Sequence, residues 1–114
     1  MKNHTRVYMQ ALGYGKEDFI PSEISGERAV DVCHIVCRGM GGNPDGYLDR
    51  IENLMAQTRA EHLQLGDKKH TTAEQFRKHR DFLELNGVSF DYAWMEAQIA
   101  KYEVYEMDQV CARY

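Results

Sequence analysis

Cysteine is scarce and oddly counted: only Cys33, Cys37 and Cys111 occur in 114 residues. An odd number with no paired framework argues against a disulfide-stapled secreted domain, which needs many bridges to compensate for a small core. Long apolar runs are also missing. No stretch approaches the roughly 20 residues that cross a bilayer, and the polar start Met1-Lys2-Asn3-His4 is unlike a signal peptide. A reducing cytoplasm is therefore the expected compartment, and no membrane partner is expected. The chain has no internal repeat, low-complexity tract or long linker, and its length suits one domain over 1–114 rather than two cores.

An excess of basic charge is absent as well. Fourteen Lys and Arg stand against eighteen Asp and Glu, a net charge of −4, so the surface is not one coated for nucleic acid. The distribution is uneven, however. Residues 28–80 hold nine basic and seven acidic side chains, while residues 81–114 hold two and seven. Phosphate binding follows local charge, so the weakly basic middle is compatible with DNA. A solvated mixed-charge surface accounts for the same counts.

Local signals outline the elements. Thr5 is placed to cap a short helix through Leu12 that ends near Gly13 or Gly15. Gly13 to Gly26 reads as a loop broken by Pro21. The β-branched run Ala29–Ile35 predicts a strand, and Ile51–Ala56 a second strand that pairs back on it. Between them Gly39–Asp49, with four glycines and a proline, predicts a flexible loop. Thr58 with Glu61 forms a capping box for a short helix through His62 that stops at Gly66. Thr71 with Glu74 is read as a second capping box, opening a helix through Phe76, His79 or Arg80, and Leu83 that closes at Asn86-Gly87. A last helix, about 89–112, is capped by Ser89. It carries Tyr92, Met95, Ile99 and Tyr102 at helical spacing, with Glu96, Lys101 and Glu103 facing water. That stripe reads as packing, with room for a homodimer or protein-partner contact. The expected architecture is α+β, with a strand–loop–strand–helix centre flanked by helices.

One ordered set of residues stands out in that centre. Cys33-His34-Ile35, Gly41-Gly42, Ile51-Glu52-Asn53-Leu54 and Glu61-His62 fall in 30 residues, with Asn53 following His34 by 19 positions and His62 following Asn53 by 9. Each alone reads blandly: His34 as a half-buried strand histidine, His62 as a helix-surface residue, Asn53 as a turn former. Their joint order and spacing can build a one-metal phosphodiesterase site. His4, His70 and His79 have no such company and read as surface residues.

This set, together with Arg38-Gly39-Met40-Gly41-Gly42 and Gly66-Asp67-Lys68-Lys69, resembles the HNH endonuclease family, above all its small bacterial and phage members. The resemblance covers roughly residues 17–83 and implies a ββα-metal nuclease unit in a bacterial host or phage-encoded protein. It implies that His34 is the general base, a task suited to an imidazole that titrates near neutrality. It further implies that Asn53 braces the loop backbone, that His62 holds one divalent cation (Mg, Mn, Ni or Zn), and that DNA is cut to 5′-phosphate and 3′-hydroxyl ends. Arg38, Arg59, Lys68 and Lys69 are candidates for phosphate contact, each also readable as a plain surface charge.

The chain departs from the family pattern twice. A histidine or aspartate usually precedes the base, and here Cys33 stands there. A thiolate suits softer ions than magnesium, so three outcomes are open: Cys33 binds a softer metal, it is a bystander, or the enzyme is weakened. Asp31 shares a strand face with Cys33 and reads either as structural or, where the backbone bends, as an oxygen ligand. Many relatives also carry two Cys-x-x-Cys pairs that bind a structural zinc. The matching positions here are Ser22 and Ser25, then Thr58 and Glu61, and none is a thiolate, so no structural zinc is expected there. A zinc site from Cys33, His34, Cys37 and His62 matches no common module. The competing class is a catalytically weakened HNH scaffold that binds DNA or a protein partner.

Overall fold

Two short extended segments pair where the β-branched run and the Leu54–Ala56 run predict. The computed structural model describes residues 1–36, 46–66 and 68–111, the last five by backbone alone. In it β1 (Asp31–His34) runs antiparallel to β2 (Leu54–Gln57), with Asp31 opposite Gln57 and His34 opposite Leu54. The ladder is shorter than predicted. Single backbone bonds extend it, from Val30 N to Gln57 O at 3.1 Å and from Ile35 N to Asn53 O at 2.8 Å. Ile51–Asn53, expected as strand, is a 3₁₀ turn closed by Asn53 N donating to Arg50 O at 2.9 Å. The tight turn draws the Asn53 side chain back toward the end of β1. Cys37, Arg38, the glycines at 39, 41 and 42, and Asp67 lie outside the described residues.

Four α-helices complete the described residues, giving a mixed α+β architecture. Helix α1 (Asn3–Leu12) starts ahead of the expected cap: Arg6 N already bonds Lys2 O, so Thr5 lies inside the first turn. It ends at Gly13, whose φ of 74° suits a residue without Cβ. Helix α2 (Arg59–Leu65) starts at the expected capping box, with Glu61 N on Thr58 Oγ1 at 3.2 Å and Thr58 N on Glu61 Oε1 at 2.8 Å.

Helix α3 (Lys69–Leu85) corrects the second capping box. Thr71 lies within the helix and its hydroxyl donates to Leu65 O and Lys68 O, while Glu74 pairs with Arg77. The helix closes at Asn86-Gly87 as expected, Gly87 taking φ 67°. Helix α4 (Tyr92–Cys111) is capped by Asp91 rather than Ser89. Trp94 N donates to Asp91 Oδ1 at 3.0 Å, and Asp91 N is itself held by Glu52 Oε2 at 2.8 Å. No helix among the described residues is long and apolar enough to cross a membrane.

The hairpin is covered on both faces, which is why every residue of β2 is buried. Alternation along the strand divides the work. Leu54 and Ala56 pack with Tyr8 of α1, and Val32 and Ile20 lie against the same cluster. Met55 packs with Ile35, Ala73, Phe76, Leu83, Met95 and Ile99, the core made with α3 and α4. Met95 and Ile99 thus fill the α4 stripe as expected, Tyr102 lies at its edge, and Tyr92 is exposed with Trp94 packing in its stead. Arg50 stacks over Trp94 and Tyr47, at 4.4 and 5.2 Å from the ring centres, and so ties α4 to the chain entering the 3₁₀ turn.

His79 is the clearest correction. It is fully buried rather than a surface residue, with Nδ1 2.6 Å from Glu23 Oε1 and Nε2 2.6 Å from Ile51 O.

Candidate functional site

Strand alternation explains where His34 goes. It shares its side of β1 with Val32, the side covered by α1, and so its ring meets that of His4 in the first helical turn, centre to centre at 4.5 Å. His34 Nε2 lies 2.6 Å from Asp49 Oδ1, both side chains nearly out of solvent at 11% and 13% exposure. Asp49 Oδ2 accepts a second bond from Asn3 Nδ2 at 3.0 Å. Burial alone would raise the Asp49 pKa, but the bonds from Asn3 and His34 outweigh it and hold the carboxyl below its ordinary range. With the ring proton on Nε2, His34 donates to the ionised Asp49 and keeps its lone pair on Nδ1.

Asn53 joins the two ends of the loop that separates the strands. Its Oδ1 accepts from Val36 N at 2.8 Å, and its Nδ2 donates to Val36 O at 3.1 Å and to Leu48 O at 3.0 Å. The side chain is fully buried, so no water replaces those partners. Val36 lies two residues after His34 and Leu48 one before Asp49, so the clamp sets the distance between His34 and Asp49. Asn53→Ala is expected to cost about 2–4 kcal/mol by leaving buried backbone groups unpaired. Urea unfolding measures this; a loss under 1 kcal/mol would show that the clamp carries little.

His62 comes from α2, whose start is set by the Thr58–Glu61 capping box. Its ring lies against Gly66: a Cβ there would come within 2.7 Å of His62 Cδ2 and 2.5 Å of His62 O. The glycine thus permits the ring position in which Nδ1 stands 4.0 Å from Asp31 Oδ2. His34, His62, Asp31, Cys33, Arg59 and His4 all line one cavity of about 610 Å³.

The predicted site residues sort as follows. His34 and His62 share a cavity wall, and Asp31 approaches His62. Cys33 is 6% exposed, and Asp31, Cys33 and His62 do not converge into a tight trio. Among the described residues, the group of three potential ligands with donor atoms within 4.8 Å of one another is His4, His34 and Asp49. Of the basic candidates, Arg59 lines the cavity. Lys68 instead caps the end of α2 at Leu63 O and Gln64 O, Lys69 lies over the Tyr105 ring, and Arg38 is outside the described residues.

Sequence reasoning missed His4 and Asp49. Nothing local marks either: one sits on a helix turn, the other in a loop, and only the fold brings them to His34.

The four positions expected not to hold a structural zinc, Ser22, Ser25, Thr58 and Glu61, also converge. Ser22 Oγ donates to Glu61 Oε1 at 2.5 Å, the same oxygen that accepts Thr58 N, and Ser25 N donates to Ser22 Oγ at 3.2 Å. Burial would raise the Glu61 pKa, but the Ser22 and Ser25 hydroxyls and the Thr58 amide lower it below its ordinary range. Hydrogen bonds here join the 22–25 turn to the start of α2.

Comparison with known protein families, characterised proteins and solved structures finds no match to this chain.

Proposed function

We propose that this chain is a metal-dependent HNH-type endonuclease in which β1, β2 and α2 form a ββα-metal unit. The observation that carries the reading is the Asn53 clamp, which holds the segments bearing His34 and Asp49 while His34 and His62 line one cavity. Three residues singled out by order and spacing thus take up geometry that suits the roles the family pattern gives them.

His34, its Nε2 proton on Asp49, takes a proton at Nδ1 from a water attacking phosphorus in line. Asp49 keeps the ring in that tautomer and orientation. Arg59, exposed at the cavity wall, is placed to meet a phosphate.

Asp31 and His62 would hold the divalent cation. Two donors on one such ion stand about 3.0–3.4 Å apart, so Asp31 and His62, 4.0 Å apart, would close by less than about 1 Å to hold it. When bound, such an ion neutralises phosphate charge and stabilises the leaving oxygen. An oxygen and a nitrogen donor suit magnesium or manganese better than a buried thiol does, which makes Cys33 a wall residue in this reading.

The test is plasmid DNA incubated with purified protein in magnesium, manganese, nickel or zinc, with EDTA and His62→Ala beside it. Cleavage to 5′-phosphate ends, abolished by EDTA and reduced at least tenfold in His62→Ala, is the expected result. Absence of cutting in every metal would replace the enzyme with the binding module, and a gel-shift with the same plasmid fragments would then separate DNA from protein partners.

A further inference from the structure

The first turn of α1 adds donors beside the proposed base that the nuclease chemistry does not require. We propose that His4, His34 and Asp49 form a second cation site, selective for zinc-like ions and distinct in its ligands from Asp31 and His62, whose occupancy switches His34 off as a base. The binding claim stands on the geometry alone; the switching claim rests on the nuclease reading.

Three separate parts of the chain supply the donors, all within 4.8 Å of one another and each partly buried on or beside the cavity wall. Two imidazoles and one carboxylate suit zinc, cobalt or nickel, whereas magnesium favours oxygen donors and retained water. Metal ligands are usually oriented by partners on their outer atoms, and Asp49 has one. Asp49 Oδ2 accepts from Asn3 Nδ2 at 3.0 Å. A bound ion needs its donors about 3.0–3.4 Å apart. The His34–Asp49 pair at 2.6 Å therefore opens slightly while His4 swings inward.

The consequence for His34 is a change of tautomer. Its Nε2 now carries the proton that points at Asp49. A metal takes the Nε2 lone pair, and that proton is lost to solvent while Nδ1 takes one up. The ring keeps one proton and no net charge is created. With Nδ1 protonated, no lone pair remains to accept a proton from water.

Zinc titration followed by calorimetry, and cobalt titration followed by visible absorption, test binding without reference to cleavage. His62→Ala is expected to bind zinc at the His4 site as the unaltered chain does. His4→Ala should weaken it by well over tenfold, and Asn3→Ala, which removes only an outer partner, by about tenfold. Circular dichroism checks each variant's fold, and His4→Gln repeats the measurement should His4→Ala unfold. Absence of zinc binding, or binding lost in His62→Ala and kept in both His4 variants, overturns the site.

Zinc added to a magnesium- or manganese-supported cleavage reaction tests the switch. Each variant is scored by its own ratio of rates with and without zinc. Inhibition of the unaltered chain that disappears in His4→Ala supports it. Undiminished cutting with zinc bound overturns the switch alone. Zinc binding without cutting in any metal leaves the site standing and removes the nuclease reading.

Discussion

His34→Ala is expected to slow metal-supported plasmid cleavage by about 10²–10⁴-fold, the usual contribution of a positioned general base. Its melting temperature should change little. His34 stands at the end of β1, its ring against His4 and Asp49 on a cavity wall rather than within the apolar clusters. Truncation therefore removes a proton acceptor and one hydrogen bond without opening a hole in the core. Asp49→Asn sharpens the assignment. It retains a hydrogen-bonding group beside Nε2 but loses the charge that selects the tautomer, so a smaller loss of rate is expected. Initial rates on supercoiled plasmid at saturating metal, beside thermal melts of both variants, decide the matter. Cleavage surviving unchanged in His34→Ala would clear that residue of its role.

The largest effect on stability is expected at Glu23→Ala. The Glu23 carboxylate is out of solvent and receives Tyr8 Oη at 2.6 Å on one oxygen, with His79 Nδ1 at 2.6 Å from the other. His79 Nε2 donates to Ile51 O, so both ring nitrogens are engaged inside the protein. Tyr8 is fully buried, and burial, with the adjacent carboxylate second, drives its pKa upward and keeps the phenol a donor. The chain of bonds ties α1, the 20–28 loop, the 3₁₀ turn and α3 together.

Removing the carboxylate leaves an imidazole and a phenol without their partner in a dry core, and breaking such a buried pair costs about 3–5 kcal/mol. Domains of this size are stable by only about 5–15 kcal/mol, so the melting temperature should fall by more than about 10 °C. Glu74→Ala makes the contrast. It removes an exposed partner of Arg77 on α3, and less than about 1 kcal/mol is expected. Equal effects of the two substitutions in urea unfolding would show that the buried network holds nothing together.

What the residues reveal on their own follows the range of the interaction. The α2 start, the helix ends at Gly13 and Gly87, and the hairpin's two hydrophobic runs all depend on neighbours within a few positions, and these were readable. Where two local signals competed, reading failed: Thr71 and Glu74 have the spacing of a cap but lie inside a helix that starts earlier, and Asp91 outcompetes Ser89 once Glu52 holds its backbone. His79 was misplaced for a different reason. A histidine on a helix looks the same buried or exposed until its partner is known, and Glu23 is 56 residues away.

The amino-acid order therefore determined the hairpin-and-helix centre and singled out His34, Asn53 and His62, because their spacing lies along one chain segment. Only the tertiary structure decided the company His34 keeps. Strand alternation turns it toward α1, where packing delivers His4 and the Asn53 clamp delivers Asp49, and contacts between distant segments leave no periodic trace from which they can be read in advance.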